Sequence, residues 1–291
     1  MRISTDNEWS PLREVVVGSA AGANRPEGCH FNTLGAYPGH VTAQADMDLD
    51  RFARTLEQEG VKVHRPKYNN FAQSQGLYNY CPRDRLLVIG DTVVDCNMQY
   101  PCREQESKYM EFVLLNAKQI IPVPRKEKLF FDAANVLRLN KTLLYLVSPS
   151  GTIQGAEWLA DRFPDYNVEI TRTYSGIHID STFCPVNEGL VVVNKDRVNR
   201  DTLPKCFKDW EIIWLGSEDL PNKSFAGQAF ASNYILLNFF MIRPNLAVID
   251  DAPKLREALQ ANGVDCYTIP FTHSRTLGGG HHCCTLDLHR R

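Results

Sequence analysis

The sequence predicts an α/β fold in which a strand-strand-helix-strand unit repeats five times around a ring. Three observations predict it. Short apolar runs meet across tight polar turns to make hairpins, the turns recur about fifty residues apart, and amphipathic helical segments fall between them. Five such units close most naturally into a ring, because radial repetition leaves few exposed sheet edges. A doubly wound sheet is the structural alternative, but it needs single strands alternating with helices, whereas paired runs dominate here.

Each element follows from its local pattern. REVVVG near the N-terminus is a β-rich run that opens the first unit or completes the last. The apolar spacing from Val41 to Glu59 predicts a helix, and VKVHRP the strand after it. LLVIGDTVVDC turns at Gly90-Asp91, before a helical pattern from Glu104 to Lys118 and the strand QIIPVP. VLRLNKTLLYLV turns at Asn140-Lys141, before a helix from Gln154 to Phe163 and the strand NVEITRT. LVVVNKDRV is expected to turn at Asn194-Lys195, with a weaker helical segment from Arg200 to Lys208 and then WEIIWLG. FFMIRPNLAVID turns at Pro244-Asn245, ahead of a helix from Ala252 to Asn262 and the strand VDCYTIPF. No Pro/Gly/Ser-rich linker interrupts the series, so residues 1–291 are expected to form a single domain.

Composition narrows the function classes. With 43% hydrophobic and 23% charged residues and a net charge of -2, the chain reads as globular, and its mixed signs offer no basic surface for nucleic acid. A small-molecule substrate is the better expectation. The N-terminus lacks the continuous apolar segment of a secretory signal, and no run is long enough for a membrane span, so a cytoplasmic location is expected. The nine cysteines show no regular framework, which favours reduced thiols over disulfides.

Residues at equivalent places in a ring converge on its axis, so the segment before each hairpin carries the interest. There stand Pro82-Arg83-Asp84, Phe131 to Asn135 (FDAAN), His178-Ile179-Asp180, Ala231-Ser232-Asn233 and Gly280-His281-His282-Cys283. Taken singly, each is ordinary: PRD a turn, FDAAN a helix cap, HID a structural histidine, the cysteine a core residue. Their recurrence at one phase of the repeat is what points to a site. A zinc centre at HHCC is disfavoured, because neighbours on an extended chain face opposite ways and no second C-x-x-C pair exists. That alternation would put Cys283 with His281 on one face and His282 with Cys284 on the other. A thiol, an imidazole and several carboxylates suit a cationic substrate, and a guanidinium fits carboxylates bidentately and offers its carbon to a thiolate.

On NEWSPLREVVVG, PRD, FDAAN, HID and LGGGHHCCTLD the chain resembles the amidinotransferase family of the guanidino-modifying, or pentein, superfamily, over nearly its whole length. The resemblance implies a five-bladed α/β-propeller of ββαβ units. It implies Cys283 as nucleophile, His178 as acid-base group and Asp132 as the third triad member. Asp84 and Asp180 would hold the guanidinium, Arg197 and Ser232 the donor's α-carboxylate, and Gly279 and Gly280 would let backbone approach substrate. The implied reaction moves the amidino group of L-arginine, through an amidino-cysteine, to a primary-amine acceptor and releases L-ornithine, with neither metal nor organic cofactor. A homodimer would suit the family. Rival readings are an arginine deiminase-like hydrolase giving citrulline and ammonia, and a non-catalytic binding protein that keeps the ring for its shape. His281, Cys284 and Asn135 depart from the glycine-type pattern, and FDAAN is closer to the inosamine-phosphate type.

Overall fold

The structure, a computed structural model, describes residues 1–27, 33–174 and 176–291. Cys29, one of the nine cysteines, lies outside the described residues. LREVVV forms β1 (Leu12–Val17), in which only Arg13 is exposed. A hairpin of β2 (Asn24–Glu27) and β3 (Thr33–Ala36) follows. Then comes α1 (Gly39–Gln58), which buries Val41, Ala45, Leu49, Phe52 and Leu56 along one stripe. It delivers β4 (Lys62–His64) parallel to β1.

Two single-turn helices, α2 (Phe71–Ser74) and α3 (Pro82–Arg85), lead into the next blade. There β5 (Leu86–Ile89) runs antiparallel to β6 (Thr92–Asp95), and after α4 (Glu111–Asn116) β7 (Gln119–Pro122) returns parallel to β6. The third blade repeats the plan with β8 (Val136–Leu139), β9 (Thr142–Leu146), α5 (Ile153–Arg162) and β10 (Asn167–Thr171). Thr152 caps α5, its hydroxyl accepting from the Gly155 N–H. The fourth uses β11 (Phe183–Asn187), β12 (Leu190–Asn194) and β13 (Glu211–Leu215), and the fifth β14 (Phe240–Arg243), β15 (Leu246–Ile249), α6 (Pro253–Ala261) and β16 (Asp265–Thr268). After α7 (Ser274–Leu277), β17 (Thr285–Arg290) pairs antiparallel with β1. REVVVG is thus the middle strand of a blade assembled from both ends of the chain.

Among the described residues, five three-stranded sheets, each antiparallel then parallel, make this the five-bladed α/β-propeller. Hairpin turns at Gly90, Asn140 and Gly189 take positive φ, the left-handed backbone that tight hairpins need and that Gly and Asn tolerate. Where the blades meet, the packing is ionic as well as apolar. Arg138 of β8 grips both oxygens of Glu8 at 2.8 and 2.7 Å and Asp287 of β17 at 2.9 Å. Arg83 of α3 bonds Asp287 at 2.8 Å and the His282 carbonyl at 2.7 Å. These groups are almost fully buried, so each charge depends on its partners.

Three expectations need correcting. The fourth hairpin does not turn at Asn194-Lys195: LVVVN is its second strand, and the turn is Glu188-Gly189, where Gly189 has φ 93°. The pattern from Glu104 to Lys118 is not one helix but a 3-10 stretch, Glu106–Met110, followed by the short α4. Its carbonyl at Tyr109 accepts from the Lys67 N–H (2.8 Å). The weak helix from Arg200 to Lys208 shrinks to a 3-10 turn, Lys205–Phe207, because Pro204 lacks an N–H and keeps Leu203 from helical backbone. Among the described residues no helix is long and apolar enough to cross a membrane.

Candidate active site

Short irregular segments before the hairpins deliver the site. Pro82 opens α3 and fixes the backbone that carries Asp84. Asp132 precedes the 3-10 turn Ala133–Asn135, where Asn135 bonds the Asp132 carbonyl and the Ser150 hydroxyl. His178 is anchored through its own carbonyl, which accepts from the Tyr174 hydroxyl at 2.8 Å. Asp84, Asp132 and His178 line one cleft of about 650 Å³, open mouth included. Its walls are largely aromatic and apolar: Tyr37, Tyr78, Tyr100, Phe230, Ile177 and Leu277.

His178 Nε2 stands 3.2 Å from Asp132 Oδ2 and Nδ1 3.7 Å from Asp84 Oδ1. Burial works against charge on this imidazole, yet Asp84 and Asp132 outweigh it and push its pKa up to about 9. Burial likewise raises Asp132 above the usual carboxylate range. The second oxygen of each carboxylate, Asp84 Oδ1 and Asp132 Oδ1, is buried with no hydrogen-bond partner among the described residues. Such acceptors are costly unless a donor meets them.

The thiol is buried as well. Cys283 is 4% exposed, and its Sγ donates to Asp180 Oδ2 at 3.3 Å. The same oxygen meets His282 Nδ1 at 2.8 Å, while His282 Nε2 faces Glu8 Oε2 at 3.2 Å. Burial opposes charge on Asp180, but the His282 hydrogen bond and the charges of His282 and His178 hold it well below the ordinary range. The neighbouring Cys81 thiol, burial and the charge of Asp180 all push the Cys283 thiol up, so the resting sulfur is protonated. Asn238 ties the two together, accepting from the Cys283 N–H at 3.0 Å and donating to the Asp180 carbonyl at 2.9 Å.

The expected residues therefore fall into two groups: Asp84, Asp132 and His178 line the cleft, and Asp180 pairs with Cys283. Cys283 makes no hydrogen bond to His178 among the described residues, although the charge of Asp180 acts on both. Arg197 bonds the hydroxyls of Ser181 and Thr182 at 3.1 and 2.7 Å and lies over the rings of Tyr174 and Tyr234. Ser232 is exposed at the head of the 3-10 turn Asn233–Leu237.

One expectation about the glycine turn changes. His281 does not share a face with Cys283: it stacks on Phe271 at 4.0 Å and its Nε2 meets the Ile269 carbonyl at 2.9 Å, whereas His282 and Cys283 share Asp180. The reason is that residues 281–284 form a coiled turn, closed by Cys284 N–H to Gly280 O, so strand alternation begins only at Thr285. At Gly279 and Gly280 the place of a side chain is taken by protein. A β-carbon would strike Cys81 at Gly279 and the Asn238 side chain and carbonyl at Gly280. The glycine that lines the cleft is Gly278, with φ 81°.

Sequence reasoning also missed Arg103, Glu106, Asn238 and Glu8. Arg103 lies over Tyr78 and binds Asp84 Oδ2 at 2.8 Å and both Glu106 oxygens at 2.8 and 2.9 Å. Its three-residue spacing from Glu106 was a visible signal for that pair. Nothing local marks Asn238, whose role depends on segments far away in sequence.

A ββαβ propeller with an imidazole and two carboxylates on one cleft and a thiol hydrogen-bonded to a third carboxylate defines the pentein class of guanidino-modifying proteins. No family model matches the chain. Inosamine-phosphate amidinotransferase 1 of Streptomyces glaucescens is 36% identical, across 99% of this chain and 97% of its own. The solved inosamine-phosphate amidinotransferase of Streptomyces griseus superposes with a TM-score of 0.93 at 34% identity, covering 99% of this chain and 97% of that one. An L-arginine:L-lysine amidinotransferase of Pseudomonas savastanoi pv. phaseolicola is 27% identical over 98% of this chain and 93% of its own. The chain belongs to the amidinotransferase family and is a transferase.

Proposed function

We propose that this amidinotransferase takes its amidino group from L-arginine, carries it on Cys283 and passes it to a primary amine, releasing L-ornithine. The observation that supports this best is that Asp84 Oδ1 and Asp132 Oδ1, on either side of His178, are buried without a hydrogen-bond partner among the described residues. A planar cation with several N–H donors answers both at once. The name of the arginine:lysine relative favours the same donor.

In this reading the donor guanidinium lies against Asp84, Asp132 and Asp180, and its positive charge lowers the Cys283 pKa that Cys81, burial and Asp180 raise. Binding of the cation releases the Cys283 proton to solvent, and the thiolate attacks the guanidinium carbon. His178, protonated at neutral pH because its pKa is near 9, gives its proton to the departing δ-amine, and ornithine leaves. The neutral imidazole then takes a proton from the incoming amine as that amine attacks the amidino-thioether, and Cys283 leaves as thiolate. Arg197 and Ser232 are assigned to the donor's α-carboxylate, and residues 1–291 act as one catalytic domain.

The experiment is product analysis with L-arginine and a panel of primary amines. Ornithine formed together with a guanidino product is expected. Citrulline and ammonia, with no guanidino product from any amine, would point to hydrolysis and overturn the reading.

A further inference from the structure

Beside Cys283 stands a second thiol that the transfer chemistry leaves unused. Cys81 occupies the position before α3 and is 1% exposed. Gly279 lies between the two: a β-carbon there would overlap the Cys81 sulfur and stand 3.2 Å from Cys283 Cβ. Both side chains therefore border one small space, with only hydrogen on the intervening residue. Their thiols are near enough to interact, and both belong to the same buried cluster. Neither is in a disulfide.

We infer that Cys81 is a resolving thiol for Cys283, so that a hydroperoxide converts the pair to a reversible Cys81–Cys283 disulfide. This rests on Cys283 being the reactive thiol. The Cys283 thiol ionises and the thiolate attacks the hydroperoxide; an S–O bond forms, the O–O bond breaks, and the alkoxide or hydroxide leaves with the released proton as alcohol or water. Sulfur is oxidised to a sulfenic acid and the peroxide is reduced. Cys81 then attacks the sulfenic sulfur; the S–S bond forms, the S–O bond breaks, and hydroxide leaves with the Cys81 proton as water. Side-chain rotation about χ1 is the movement needed to bring two such sulfurs to a bonding distance of about 2.05 Å. Cys284 also belongs to the cluster, but joining it to Cys283 would close a small ring across their shared peptide, with strained disulfide geometry. Gly279 thereby gains a specific task, since a side chain there would separate the two thiols.

The test treats the whole protein with hydrogen peroxide, blocks free thiols and maps the digested peptides. A disulfide joining the Cys81 and Cys283 peptides is expected, with the protein about 2 Da lighter. Amidino transfer should be lost and then restored by dithiothreitol. Cys81→Ser should transfer amidino groups before oxidation; afterwards it should recover roughly tenfold less activity than wild type, its Cys283 peptide about 32 Da heavier as the sulfinic acid. Cys81→Ala is the second variant, read in the same way. Wild-type Cys283 found linked to Cys284 or as sulfinic acid, or Cys81→Ser that recovers as fully as wild type, overturns the inference. Undiminished transfer by unoxidised Cys283→Ser would instead overturn the nucleophile assignment, a result read separately from the disulfide map.

Discussion

His178 is the residue on which pH dependence should be seen. Asp84 and Asp132 favour its charged form, against burial, and set its pKa near 9. Its folded pKa is raised, so its contribution to stability is complete below the unfolded value of about 6.5. That contribution is lost as pH rises through about 9. As the proton donor to the leaving amine it should impose the same limit on catalysis. A profile of kcat/KM should decline above about pH 9, and His178→Asn should remove both the limb and most of the rate. A profile that continued to rise, or an unchanged limb in His178→Asn, would assign the proton elsewhere. PRD, FDAAN and HID each brought a side chain to this cleft and could be read in advance because each is a short local motif. The Asp180–His282–Glu8 chain could not, since its members lie in three distant segments.

At the scale of an element, the turn after α7 holds the thiol in place. Gly278 takes left-handed backbone, and Gly280 packs flat on Asn238, which in turn holds both Cys283 and Asp180. Gly280→Ala should force Asn238 aside, lowering kcat more than it raises KM and costing about 1–3 kcal/mol in urea unfolding. A variant with wild-type kcat would show that Asn238 does not position the nucleophile. The three glycines were visible in the sequence, but the packing of Gly279 against Cys81 and of Gly280 against Asn238 was not, because those partners come from distant segments. The fourth hairpin was misplaced for a similar local reason. Both Glu188-Gly189 and Asn194-Lys195 read as turns, and β-pairing with Phe183–Asn187 chose the first.

At the scale of the molecule, the repeat itself was the readable feature, since hairpin turns and strand spacing are set by local backbone preferences. The ionic junction was hidden because it joins Glu8 to β8, α3 and β17, and no sequence spacing predicts which charges meet. Burial opposes charge on Glu8, but Arg138, His282 and Arg83 hold it low, and Arg290, Arg83 and Arg138 do the same for Asp287. Both folded pKa values are depressed. Their stabilisation is therefore complete above the ordinary carboxylate range near pH 4 and is lost as pH falls through the depressed values. Glu8→Gln leaves Arg138 without its bidentate partner and should cost about 3–5 kcal/mol in denaturant unfolding at pH 7. A loss below about 1 kcal/mol would mean that the junction is compensated by other contacts.

The most direct test of the central claim is mass analysis of the protein after brief exposure to L-arginine labelled in the guanidino carbon. A labelled gain of about 42 Da on the peptide carrying Cys283, discharged on adding an acceptor amine, is the expected result. Release of ornithine with the Cys283 peptide unlabelled at every time sampled, or with the label on another residue, would contradict it.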